Sequence, residues 1–507
     1  MNPRPTPARG AGPSADTVPS RVGASGHRSL ISTVMSLIAT TWITSVLGVA
    51  FWWLAAHRAS LGAVGNGSAA VSAMTLVATF GMAGLNTTLI PHLARRPRDG
   101  DGLLAAGLCV AALVSAVLAS GLVLVTAEIG HGFAPYLRTG PAALIFIGGS
   151  ALTGAGLVLD EALLGLVGGA PQLWRNCAFS VTKLAALVGL TAVWHDALGT
   201  SILTAWVAGT ALSLAVATAL LHVRGVRLLS KPQWAMLRRI GRASVRNTWL
   251  NNLLQAPLLL APMVVTGVLG ADQGGVFYVA STVSGILVML SFHFSTALYA
   301  ANAADPDGLA AKLRFTLRLC LLGGVAGVPL VVAMAHPLLH VFGAQYATRA
   351  TLPLDLMTAG YFGSVLKNHY VALLRIYDEI TKAAVFATAT CAIRLVALVI
   401  GALADGLVGV SVALLVVMSA EGLYAIPALR AALRGERVSG NGRGGRHRLD
   451  GHGFTRKPVR PDDQEHIVTS WNMPFRLTDQ LLILLRAGSW GERAQHQPRR
   501  CAPVHGS

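Results

Sequence analysis

Apolar runs of 20 or more residues recur along most of this chain, and that one feature limits what it can fold into. A run of this length spans a bilayer as a helix, and a lipid-exposed backbone must satisfy all its hydrogen bonds internally. Twelve such runs are expected: 30–54, 68–92, 102–126, 141–168, 173–193, 200–221, 246–269, 275–298, 315–335, 352–374, 383–403 and 408–430. Only 12% of the 507 residues are charged and 53% are hydrophobic, whereas a soluble domain carries about 25% charge. The expected fold class is an all-α polytopic membrane protein with about twelve transmembrane helices in two six-helix bundles.

The formal charge of +18 does not mark a nucleic-acid binder, because the basic residues sit in connectors and tails. Arg9, Arg21 and Arg28 lie before the first run, and Arg95, Arg96 and Arg98 in the second connector. Arg175 ends the fourth, and seven Lys/Arg from Arg224 to Arg246 fill the sixth. Lys312 and Arg314 lie in the eighth, and Arg375 and Lys382 in the tenth. The odd connectors hold only Arg58, Arg138 and Arg349. This bias places the even connectors and both termini in the cytoplasm of a plasma-membrane, multi-pass protein. The five cysteines show no C-x-x-C spacing, so neither zinc nor a disulfide framework is indicated, and no metal or cofactor is expected.

The sixth connector divides the runs six and six. The expected organisation is a disordered basic arm (1–29), an N-terminal bundle (30–222), a basic linker (223–245), a C-terminal bundle (246–430) and a disordered Arg/Gly-rich tail (431–507). In the linker Trp234, Leu237 and Ile240 recur every three residues, which predicts a short helix lying in the membrane interface. The segments opening at Gly65 and Gly274 are alike, each running 24 residues to a leucine, Leu89 and Leu298. Six runs per half make the halves parallel repeats. Pro257, Pro262, Pro329 and Pro353 in or beside the runs permit bends.

Polar groups inside apolar runs are costly and mark packing or transport sites. Asp160 and Glu161 stand side by side in the fourth run, and depth arithmetic sets Glu161 opposite Lys183 on the fifth. Either acid fixes the packing, snorkels to the interface or lines a path, and both are candidate coupling carboxylates. Ser244, Thr248, Asn252 and Gln255, with Asn247 and Asn251, form a polar stripe on the seventh run, and Arg242 and Arg246 stand at its basic end. Thr33, Ser36, Thr40 and Thr44 form a milder stripe on the first. The two stripes are expected to face a hydrated cavity. His293, Lys367, His369, Arg394 and Glu421 lie at depth in the second half, and Arg394 and Glu421 are expected to pair across a hairpin. The excess of buried cations suits an anionic ligand such as a diphosphate.

"VGNGSAAVSAMTLVATFGMAGLNTTLIPHLARR", "LDEALLGL…LWRN…KL", "GVFYVASTVSGILVMLSFHFSTALYA" and "HPLLHVFGAQYATRATLPLDLM" resemble segments of Wzx-type oligosaccharide flippases. That family belongs to the multidrug/oligosaccharidyl-lipid/polysaccharide exporter superfamily. The resemblance covers roughly residues 30–430 and implies two bundles around a cationic cavity. It also implies export of a polyprenyl-diphosphate-linked oligosaccharide for bacterial cell-surface polysaccharide biosynthesis, such as lipopolysaccharide. Partners would then be that lipid-linked glycan, membrane lipids and other polysaccharide-assembly membrane proteins. Cavity residues are expected at Lys183, Arg246, Asn247, Asn251, Asn252, Gln255, Lys367 and Arg394. Coupling acids are expected at Asp160, Glu161 and Glu421. The tail departs from the family's pattern. The alternative is a cation-coupled multidrug antiporter of the same superfamily, which would want an acidic cavity. A membrane polysaccharide polymerase is less favoured, because the outer connectors are short and lack paired carboxylates, so no catalytic residue is expected.

Overall fold

The computed structural model describes residues 46–82, 85, 100–129, 137, 140–166, 169–193, 199–226, 230–304 and 306–436, with backbone alone at 239–246 and at a few helix ends. The expected arm (1–29), the polar stripe of the first run and all of the tail beyond Glu436 lie outside these residues.

Among the described residues every regular element is a helix. They are α1 (46–58), α2 (Leu61–Gly81), α3 (Gly100–Ile129), α4 (Gly140–Leu166), α5 (Gly169–Val193), α6 (Thr200–Val223), α7 (Trp234–Leu269), α8 (Ala271–Ala304), α9 (Leu309–Ala333), α10 (Ala335–His340), α11 (Ala344–Ala359), α12 (Tyr361–Ile376) and α13 (Ile380–Leu433). Nine are long and apolar enough to cross a membrane. One of these, α13, breaks at Asp405 and Gly406 into two limbs. With the two limbs of α13 counted separately these correspond to ten of the expected spans; α11 and α12 together cover the tenth run, and of the first run only the part from residue 46 is described.

Local chemistry sets the ends. The Ser60 side chain accepts from the Ala63 amide at 3.1 Å and starts α2, a side-chain N-cap. At the hairpin of α13 the chain turns at Gly406, whose φ of 53° suits a residue without Cβ. Gly401 and Gly409 then pack backbone to backbone beneath the turn.

Two differences from the sequence expectation have a physical origin. The linker helix does not lie apart in the interface. Trp234 begins a 36-residue helix that continues unbroken through Pro257 and Pro262 into the seventh span. Its first turns dock on the N-terminal half: the Gln233 amide donates to the Gly102 carbonyl at 2.9 Å, and Leu237 joins a cluster with Leu103, Leu104 and Val158. The tertiary contact supplies the burial that the membrane surface was expected to give, and Trp234 stays exposed. The expected division at 245/246 therefore falls inside a continuous helix. The breaks that do occur, at Gly360 and at Asp405–Gly406, fall at none of the prolines singled out.

The two halves meet mainly through α2, which packs on both α7 and α8. At the end away from the basic connectors this contact is reciprocal. Gly65 abuts the Ala271 carbonyl and the Gly275 amide, while Gly275 abuts the Leu61 carbonyl and the Gly65 amide. The contact thus pairs Gly65 with Gly275, the residue after Gly274 of the expected match. Above it Phe51, Trp52, Val64 and Ile202 share one core cluster with Val276, Phe277, Leu339 and Tyr346, which closes this end of the molecule. A Cβ on Gly65 would fall on backbone of the facing helix, where side chains cannot yield. Gly65→Ala is expected to cost about 1–3 kcal/mol, the range for overpacking. Gly285→Ala, where nothing lies within 4 Å, is expected to be neutral or slightly stabilising. Thermal melts of the two purified variants compare them directly.

Candidate functional site: a cationic cleft in the second half

The site begins with a close helix crossing. A Cβ on Gly422 of α13 would fall on the backbone of Gly363 of α12, and one on Gly363 would fall on the Met418 carbonyl of α13, so the absence of both side chains lets the backbones approach. This crossing sets Glu421, the neighbour of Gly422, beside Lys367, one turn along α12, with Nζ to Oε2 at 3.6 Å. The fold-back of α13 brings Arg394 from its other limb. Arg394 Nε donates to Glu421 Oε1 at 2.7 Å and Nη2 to Oε2 at 2.5 Å. The expected Arg394–Glu421 pair is thus present, as a two-bond fork, the strongest geometry for such a pair. Glu421 is only 5% exposed, so two cations surround one buried anion and the triad is net positive.

Beside it lies a small cleft between α7, α8 and α12. Its polar lining is Ser295, Thr296, Tyr299, Lys367, Asn368 and Arg375. Lys367 and Arg375 are eight residues apart on α12, about 12 Å along the axis, and both line this space. Arg375 Nη2 donates to Asn251 Oδ1 at 3.0 Å, and Asn368 Nδ2 donates to Ser291 Oγ at 3.2 Å. Two long cationic side chains with amides and hydroxyls between them form a surface for an anion with several oxygens.

The polar stripe of α7 faces protein, from two sides. Asn251 meets Arg375 at the cleft, while Asn252, buried, donates through Nδ2 to the Thr79 carbonyl of α2 at 3.4 Å. Asn247 and Gln255 are half-buried. The side chains of Arg242, Ser244 and Arg246 lie outside the described residues.

The first half arranges its charges differently from expectation. Asp160 is bonded to Arg175 by an ion pair, and the expected Glu161–Lys183 pair does not form. The reason is the start of α5. It begins at Gly169, so Arg175 is six residues into α5 and Asp160 six from the end of α4, at one height. Arg175, read from sequence as a connector charge, is a buried partner. Lys183 lies eight residues deeper, where its Nζ sits over three ring faces: Phe51 at 5.0 Å, Phe179 at 4.6 Å and Trp206 at 4.2 Å. It is 3% exposed, and among the described residues no carboxylate bonds it. It therefore stands apart from the cleft in the second half. Glu161 is half-buried and has no ionic partner among the described residues.

The ring contacts offset only part of the cost of burying an ammonium, at about 2 kcal/mol when desolvated against several for desolvation. Lys183→Met is therefore expected to leave stability unchanged or to raise it by about 1–4 kcal/mol. Thermal melting of the purified variant checks this.

Sequence reasoning missed Arg375 and Asn368 as cleft residues. The signal was present, since Lys367, Asn368, Val371, Ala372 and Arg375 recur at helical spacing and share one face.

Neither a protein-family model nor a curated protein matches the sequence. Solved structures do match the fold. One is an inward-facing multidrug resistance MATE family transporter of the MOP superfamily, with TM-score 0.60 and 13% identity over 79% of this chain and 98% of that one. Another is the lipid II flippase MurJ in an inward closed conformation, with TM-score 0.60 and 13% identity over 78% and 87%. A third is a MOP superfamily transporter from Pyrococcus furiosus, described as having a binding pocket of reversed polarity. It has TM-score 0.55 and 12% identity over 80% and 95%. The chain thus has the polytopic helical fold these transporters share.

Proposed function

We propose that this protein moves a polyprenyl-diphosphate-linked oligosaccharide from the inner to the outer leaflet by alternating access, with the diphosphate held in the cleft by Lys367 and Arg375. The observation that carries this reading is the charge balance of the second half. Lys367 and Arg394 both pair with the single carboxylate of Glu421, so this triad at the edge of the cleft carries one positive charge in excess. A similar fold serves a lipid II flippase, which fits a lipid-linked substrate. The basic connectors face the cytoplasm in this reading, and the two bundles rock about the α2 contact with α7 and α8. The Asn251 face of α7 extends the cavity. Of the three expected coupling acids, Asp160 and Glu421 are already paired, so Glu161 is the proposed coupling carboxylate.

The alternative, a cation-coupled multidrug antiporter, is favoured by one feature. Glu161, without an ionic partner among the described residues, is the kind of group that takes a cationic drug, and a MATE transporter shares the fold. Binding separates the two readings. In nanodiscs, a fluorescent short-chain polyprenyl diphosphate sugar is expected to bind wild type and Glu161→Gln alike, and Arg375→Gln at least tenfold more weakly. Binding of a cationic dye instead, abolished by Glu161→Gln and unaffected by Arg375→Gln, would establish the antiporter reading.

A further inference from the structure

Two helices of the second half carry a matching pattern on their exposed faces. On α9 the stripe Arg314, Arg318, Leu322 and Val325 is exposed throughout, with Leu322 67% and Val325 63% accessible. On α13 and its C-cap the stripe Leu423, Pro427, Arg430 and Arg434 is also exposed, with Leu423 64% accessible. Each stripe recurs every three to four residues, so each is one face of its helix. Each is apolar through the span and turns cationic in the turns nearest the basic connectors.

An apolar stripe exposed on a membrane-spanning helix faces hydrocarbon, so the arginines that continue it face lipid as well. Arg318 lies nine residues into α9, about 13 Å from its start. That is one turn deeper than a connector charge needs to be, and its side chain must extend along the helix to reach the headgroup level. None of the four arginines bonds a carboxylate among the described residues. The two helices pack against each other. Leu313 and Leu317 of α9 share one core cluster with Leu429 and Ala432 of α13; the first three each adjoin an exposed arginine in sequence, and Ala432 lies two residues from Arg434.

We propose that Arg314 and Arg318, with Arg430 and Arg434, form a binding site for the headgroup of an anionic phospholipid in the leaflet at the basic end of the molecule. The lipid's acyl chains lie along Leu322, Val325 and Leu423. Arginine suits the task because its planar fork meets a phosphate with two bonds. The site is separate from the cleft and is occupied by a resident lipid, whatever the transported substrate.

The test uses the full chain in nanodiscs of phosphatidylcholine with or without phosphatidylglycerol, released for native mass spectrometry. Wild type is expected to retain phosphatidylglycerol and not phosphatidylcholine. Arg314→Gln/Arg318→Gln is expected to bind it about thirtyfold more weakly, the factor for two basic side chains leaving an anionic surface. Arg430→Gln/Arg434→Gln is expected to act in the same direction. Arg314→Lys/Arg318→Lys, which keeps the charge but loses the fork, is expected to fall between wild type and the glutamine pair and controls for misfolding. Wild-type retention by both glutamine pairs would overturn the site. So would displacement of the lipid by inorganic pyrophosphate, which would make it a site for free anions.

Discussion

Replacing Arg394 with methionine is expected to destabilise the protein by about 3–5 kcal/mol, the cost of stranding one partner of a buried ion pair. Glu421 would keep only Lys367, at 3.6 Å, in place of two bonds at 2.7 and 2.5 Å. The double variant Arg394→Met/Glu421→Met is expected to recover only part of the loss, because it removes the stranded carboxylate but takes from Lys367 its partner at 3.6 Å. The melting temperature of the purified single and double variants reads the difference. Equal destabilisation by both would mean that packing, and not charge pairing, holds the two limbs of α13 together.

The second large effect is on transport. Lys367→Gln/Arg375→Gln keeps polar side chains, though shorter ones, and removes the positive charges of Lys367 and Arg375 from the cleft. A hydrogen bond to a charged group is worth about 1.5–3 kcal/mol, so losing two is expected to lower transport at least a hundredfold, with the melt little changed. Arg375→Lys keeps the charge but loses the hydrogen bond from Nη2 to Asn251, and is expected to fall between wild type and the double variant. Transport unchanged in Lys367→Gln/Arg375→Gln would remove the cleft from the substrate path.

How much of this was legible in the sequence follows from what each signal measures. Apolar run length fixes the number of spans, because the bilayer sets one scale for all of them. Arg394 and Glu421 were readable as partners because a hairpin equates their heights. The same arithmetic failed for Glu161 and Lys183. It assumed a helix start at residue 173, and a start at Gly169 moves Arg175 into line with Asp160. Depth also says nothing of azimuth, which is why the ring cage around Lys183 was not foreseen. The helix breaks at Gly360 and Asp405–Gly406, and the continuity of α7 with its docked first turns, depend on contacts between distant residues. No local period reports those contacts. The cleft cations were half visible: Lys367 stood out as a charge in an apolar run, whereas Arg375 was hidden by its position at the end of one.

The most direct measurement is flipping in proteoliposomes. A fluorescent polyprenyl-diphosphate oligosaccharide is placed in the leaflet that matches the basic end, and its arrival in the other leaflet is followed with a membrane-impermeant quencher. The expected result is protein-dependent exposure that falls at least a hundredfold with Lys367→Gln/Arg375→Gln and persists in Lys183→Met. No exposure under any proton or sodium gradient, together with gradient-driven movement of a cationic dye that needs Glu161, would contradict the flippase reading.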